Sequence, residues 1–112
     1  MADITIRRAP GTWVVRAAGA VIGESAECLE LLEDELKPVV YFPREDLGMA
    51  FLEASPKRTH CPWKGDAEHF HIAGKSGMIE DAAWSYPEPS DDVARIAGYV
   101  AFYPSKVTVE QL

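Results

Sequence analysis

Apolar and polar side chains alternate over Ile4-Thr5-Ile6-Arg7, the period of a strand with one buried face. Thr12-Trp13-Val14-Val15-Arg16-Ala17 is β-branched and aromatic, and Ala9-Pro10-Gly11 between the two segments reads as a turn. Ala18-Gly19 permits a tight reversal into Ala20-Val21-Ile22, which predicts a hairpin ending before Gly23. The period changes after Ser25. Leu29, Leu32 and Leu36 recur every three or four residues, with Glu27, Glu30, Glu33 and Asp34 between them. That spacing predicts an amphipathic helix capped by Ser25 and ended by Lys37-Pro38. Val39-Val40-Tyr41-Phe42, bounded by Pro38 and Pro43, is too short for three helical turns and predicts a buried strand. Glu68 to Ala73 and Met78 to Tyr86 flank Gly74-Lys75-Ser76-Gly77, a β-hairpin pattern. Asp91 to Ala97 predicts a short helix, and Tyr99 to Tyr103 and Val107 to Val109 predict closing strands around Pro104.

These elements amount to roughly eight strands and two short helices, a mainly β (α+β) architecture. The 112 residues, 47% hydrophobic and 26% charged, suit one compact domain over 1–112 and leave no room for a second core. Folding at this length buries roughly two-thirds of the chain's surface, so neither a disulfide nor a structural metal is required. Eleven Lys and Arg against eighteen Asp and Glu give a net charge of −7, which repels phosphate backbones and anionic lipid. Nucleic acid and membrane are therefore not expected partners. Met1-Ala2-Asp3 carries an acid where a secretory signal carries basic residues, so the expected location is the cytoplasm. Cys28 and Cys61 lack Cys-x-x-Cys spacing and, in a reducing compartment, predict free thiols.

Candidate chemistry concentrates where strands begin or end. Arg44 offers a planar fork for a carboxylate or phosphate, and Lys64 a second positive contact. Bordered by Trp63, Trp84 and Tyr86, they would form an aromatic-walled, cationic pocket for a small anionic or planar molecule. Glu45, Asp46 and Asp81 offer the competing account, in which the charges neutralise one another internally. Cys61 lies beside His60 and close to Lys64, a setting that can activate a thiol as nucleophile or redox group. His60 or Asp81 would then transfer the proton. His69 and His71 stand two apart on a strand, so both rings face one side. With His60 and Cys61 they outline a ligand set, but the reading assigns no metal and expects exposed imidazoles.

Four motifs occur in order: Tyr41-Phe42-Pro43-Arg44-Glu45-Asp46, Cys61-Pro62-Trp63-Lys64-Gly65-x-Ala67, Ala83-Trp84-x-Tyr86 and Ala97-Gly98-Tyr99-Val100-Ala101-Phe102-Tyr103. In this combination the chain resembles the bacterial and fungal domain-of-unknown-function family 427, sometimes labelled nucleotidyltransferase-like, from about Val14 to Val109. The resemblance implies a tent-like folding of antiparallel sheets and no assigned reaction. Nucleotidyl transfer finds little support in the residues, which contain no glycine-rich phosphate cradle of Walker type and no Asp-x-Asp pair. The expectation is thus a ligand-binding module with Tyr41, Arg44, Asp46, Trp63, Lys64, Trp84 and Tyr86 around one pocket and no named cofactor. The alternatives are an enzyme built on Cys61, His60 and Asp81, or an interaction domain that pairs with a protein or a second copy.

Overall fold

The structure, a computed structural model, describes residues 3–112. The early strands form where alternation places them: β1 (Ile4–Arg8), β2 (Trp13–Ala17) and β3 (Ala20–Ser25). Ala18 and Gly19 turn the β2–β3 hairpin with φ of 51° and 76°, the paired left-handed conformation whose twist matches the strands.

The segment read as a helix is a strand. β4 (Leu29–Glu33) lies between β1 and β5 (Val39–Phe42), antiparallel to both, with Leu29 opposite Arg8 on one side and Tyr41 on the other. Period two turns Leu29 and Leu31 to one face, and Glu30 to the other, where Arg7 Nε donates to its carboxylate at 2.7 Å. Two ladders and that burial outweigh the helical spacing of the leucines, and Leu36 is left 65% exposed. Ser25 caps no helix: its hydroxyl donates to Asp46 and accepts the Glu27 N–H in a local turn.

Two single-turn 3-10 helices, Arg44–Asp46 and Met49–Phe51, lead into three long antiparallel strands, β6 (Leu52–Cys61), β7 (Gly65–Gly74) and β8 (Gly77–Ser85). β6 has no counterpart in the sequence reading. Its pattern of Glu53, Ser55, Pro56, Lys57 and Arg58 leaves most of it exposed, and only pairing with β7 makes it a strand. The expected helix at Asp91 to Ala97 is 3-10 over Asp91–Ile96, with a kink at Val93. β9 (Val100–Phe102) and β10 (Thr108–Gln111) close the chain. The described residues thus form ten strands and no α-helix, in a seven-stranded sheet ordered β1-β4-β5-β9-β8-β7-β6 and a three-stranded sheet ordered β10-β2-β3.

Both faces of the large sheet are covered, and neighbouring residues serve opposite cores. Phe42, Phe70, Ile72, Ala83 and Phe102 pack with Val15 and Ile22 of the small sheet. Tyr41, Ala67 and Ala101, one position out of phase, pack with Leu29, Leu31 and the apolar pair Val93 and Ile96 of the last 3-10 helix. We call the first the inner face and the second the helical face.

Candidate functional site

The pleat divides the expected site residues between these two faces. Tyr41, Cys61, Trp84 and Tyr86 belong to the helical face. The Trp84 indole N–H donates to the Tyr41 hydroxyl at 3.3 Å, and the rings meet edge to face with centroids 6.3 Å apart. Burial raises the Tyr41 phenol well above its ordinary range and, with the nearby Cys61, pushes Tyr86 up to about 12. Both phenols stay neutral at physiological pH. Lys64, on the β6–β7 turn, donates to Glu33 at 2.5 Å, the two side chains being 13% and 18% exposed. Glu33 carried no signal as a partner because it lies 31 residues away at the end of β4.

Arg44 is held across the inner face. Its Nε donates to the Gly98 carbonyl at 2.6 Å, its Nη2 to Glu68 at 3.0 Å and to Ser85 at 3.2 Å, and its guanidinium lies over the Phe70 ring. Asp46 accepts from Ser25 at 2.6 Å. Trp63 is 38% exposed on the β6–β7 turn, where its carbonyl accepts from Ser90. The expected common pocket therefore does not assemble: Arg44 and Lys64 occupy opposite faces, each in an ion pair. Nor does Cys61 meet its expected proton partners. His60, adjacent on the strand, points to the other face and contacts Asp66 at 2.7 Å in solvent. Asp81 is bound to Ser55, six positions from Cys61 along β6, a separation of roughly 20 Å in an extended strand.

Trp84 does border a cavity. A hollow of about 410 Å³ opens where β5 begins and β9 ends, walled by Trp13, Val40, Trp84, Phe102 and Val109, with Lys37 and Glu30 as its charged neighbours. Trp13 is fixed by its indole N–H, which donates to the Pro10 carbonyl at 2.9 Å. With Trp84 tied to Tyr41 in the same way, both indoles that line the hollow have their N–H donors occupied. Glu30 is neutralised by Arg7, whereas Lys37 is exposed and has no ion-pair partner among the described residues. Trp13 and Phe102 read in sequence only as strand residues, and Lys37 only as the end of the expected helix. Their convergence depends on how the small sheet sits against the large one.

Beyond Trp84 the helical face continues as a row of rings. Tyr103 lies 4.4 Å from Trp84, and His69 stacks on Tyr103 at 6.5 Å with planes 9° apart. His69 is 2% exposed, not the solvent-facing imidazole expected, because β6 and Tyr103 cover it. Its Nε2 meets the Thr59 hydroxyl at 2.9 Å, while its Nδ1 is buried without a partner. Burial, reinforced by Lys57 and Arg58, lowers its pKa and keeps it neutral. His71 is likewise half-buried, and its Nδ1 accepts the Asp81 backbone N–H at 3.0 Å. Among the described residues, no three His, Cys, Asp or Glu side chains are grouped so as to hold a metal ion.

A family model described as a domain of unknown function, DUF427, matches residues 5–111. The chain belongs to this family. Comparison with curated proteins gives no match. The four motifs of this DUF427 domain serve the two faces unequally. The first supplies Tyr41 to one face and Arg44 to the other, the second supplies the Cys61–Lys64 turn, and the third and fourth supply Trp84, Tyr86, Phe102 and Tyr103. Among the described residues, no helix is long and apolar enough to cross a membrane.

Proposed function

We propose that the domain binds a small planar molecule bearing an acidic group, with its ring in the hollow between Trp13 and Trp84 and its acid turned to Lys37. The observation that carries the reading is the hollow itself: about 410 Å³, at the lower end of ordinary ligand-site volumes, with aromatic walls and one unpaired cation at its edge. Planar surface is what two indoles with occupied N–H groups recognise best, since they contribute dispersion and quadrupole contacts and no hydrogen bond. The local charge favours an anion, because Glu30 and Arg7 cancel and Lys37 does not. Neither Arg44 nor Lys64 takes part in this reading.

The test is a panel of nucleosides, nucleotides and aromatic or aliphatic acids, followed by thermal shift and by tryptophan fluorescence. At least one aromatic acid is expected to raise the melting temperature with dose and to change the indole emission. Trp84→Leu should weaken that ligand about tenfold, and Lys37→Gln should weaken acids while sparing their neutral amides. A panel without any dose-dependent shift, or a ligand that binds equally well to Trp84→Leu, refutes the reading.

A further inference from the structure

Two side chains of opposite polar character border the hollow at Trp13 and Trp84. Both indole N–H groups are occupied, by the Pro10 carbonyl and the Tyr41 hydroxyl, and the remaining side chains of the wall are apolar. That leaves Lys37 as a donor and Glu30 as an acceptor. Glu30 stands on β4 directly opposite Arg7 of β1 and Val40 of β5, so all three side chains share the inner face. Its side chain is 9% exposed, against 59% for Arg7. Arg7 Nε donates to one carboxylate oxygen, Oε1, at 2.7 Å. The second oxygen, Oε2, has no hydrogen-bond partner among the described residues, yet unlike His69 Nδ1 it is not sealed inside the protein. The open space that Glu30 borders is the hollow, so the free oxygen is presented there. The bond from Arg7 holds the carboxylate in place before any ligand arrives.

We propose that Glu30 is a specificity-determining residue of the hollow, which selects planar acids carrying an N–H donor, an aryl amine or a ring N–H, for Glu30 Oε2, with the acid turned to Lys37. The inference rests on the reading of the hollow as a ligand site and names the class of molecule that site selects. A ring with an acid but no donor would cover the carboxylate oxygen and take it out of water with no compensating bond. A site built around a polar group discriminates most strongly against such analogues. A neutral donor suffices, because Arg7 already balances the charge of Glu30. A second acid on the ring would meet like charge at Glu30, so single acids are selected over diacids. Lys37 has no ion-pair partner among the described residues, so it does not close on Glu30, and two different groups of one molecule can meet the pair.

The test compares ligands that differ in the donor alone. Indole-2-carboxylate and indole-3-carboxylate are titrated beside the matching benzofuran carboxylates, in which oxygen replaces the N–H. The meta and para aminobenzoates are titrated beside the matching toluates, in which methyl replaces the amine. Calorimetry reads the affinity for the wild type, Trp84→Leu and Glu30→Leu. In at least one pair the N–H compound should bind the wild type about five- to tenfold more tightly than its partner. Glu30→Leu should remove that preference while its binding of the donor-free partner is kept. The wild-type preference stands as a test by itself should Glu30→Leu fail to fold. No binding by any of these acids refutes the hollow and this inference together. Acids that bind, weaken in Trp84→Leu and show no preference within any pair keep the hollow and overturn the role of Glu30, as does a preference that persists in Glu30→Leu.

Discussion

Ser55 and Asp81, on strands that do not pair with each other, are joined by a 2.5 Å hydrogen bond that reaches over β7. The Ser55 oxygen also accepts the Lys57 backbone N–H, so one hydroxyl organises the bulge where β6 passes His69 and anchors the bulge where β8 passes His71. Ser55→Ala is expected to lower stability by about 1–2 kcal/mol, because Asp81 loses a charge-assisted bond and the Lys57 N–H its acceptor. That corresponds to roughly 4–8 °C in melting temperature per kcal/mol for a domain near this size. An unchanged midpoint would show that the two bulges persist independently.

Acid should act on the same region in two stages. His69 has its pKa lowered by burial, so the unfolded chain takes up a proton that the folded one resists. Its contribution is complete above about pH 6.5 and declines as pH falls below that value. Asp81, lowered chiefly by the Ser55 bond, contributes above about pH 4 and is lost as pH falls further. Denaturant unfolding across this range reads both stages, and His69→Gln should flatten the upper one. A wild-type profile that is level between pH 7 and 5, on the order of the His69 window, contradicts the buried neutral imidazole.

Arg44 is a tie rather than a ligand fork. Its three bonds connect the segment after β5 to β7, β8 and the loop before β9. Arg44→Ala should cost about 2–3 kcal/mol, and Arg44→Lys should recover little of it, because the donors of an ammonium radiate from one nitrogen and do not span the Gly98 carbonyl and the Glu68 carboxylate as Nε and Nη2 of the guanidinium do. Full stability in Arg44→Lys would mean that the planar fork is unimportant.

The two thiols should differ in reactivity. Cys28 is fully buried, and burial is the main reason its pKa rises to about 11. Cys61 is half-buried at the end of β6. Iodoacetamide under native conditions is expected to label Cys61 alone, with Cys28 reacting only in denaturant. Mass spectrometry of the tryptic peptides checks this, and native labelling of Cys28 would contradict its place in the core.

Short-range patterns were dependable where one ladder and one core face decided the outcome. Ile4 to Arg7 alternates because β1 has a single covered face, and the glycines around Lys75-Ser76 mark the β7–β8 hairpin. Leu29 to Leu36 satisfied two periods at once, and the choice between them lay with β1 and β5, distant in sequence. β6 gave no signal because a largely exposed strand with Pro56, the cations Lys57 and Arg58, and the polar Thr59 and His60 has no apolar alternation to display. Among the site residues, Trp84 and Tyr41 were legible as aromatic strand-end positions. Trp13, Phe102 and Lys37 were not, since each has an ordinary local explanation.

The amino-acid order by itself fixed the family, the β character and the places where aromatic and charged side chains concentrate, because these follow from local composition and from motifs read in line. The tertiary arrangement alone decided which of those side chains meet. A strand turns successive residues to opposite faces, so Tyr41 and Phe42, adjacent in β5, serve different cores. Ser55 and Asp81, 26 positions apart, touch because both neighbours of β7 bulge at the same level.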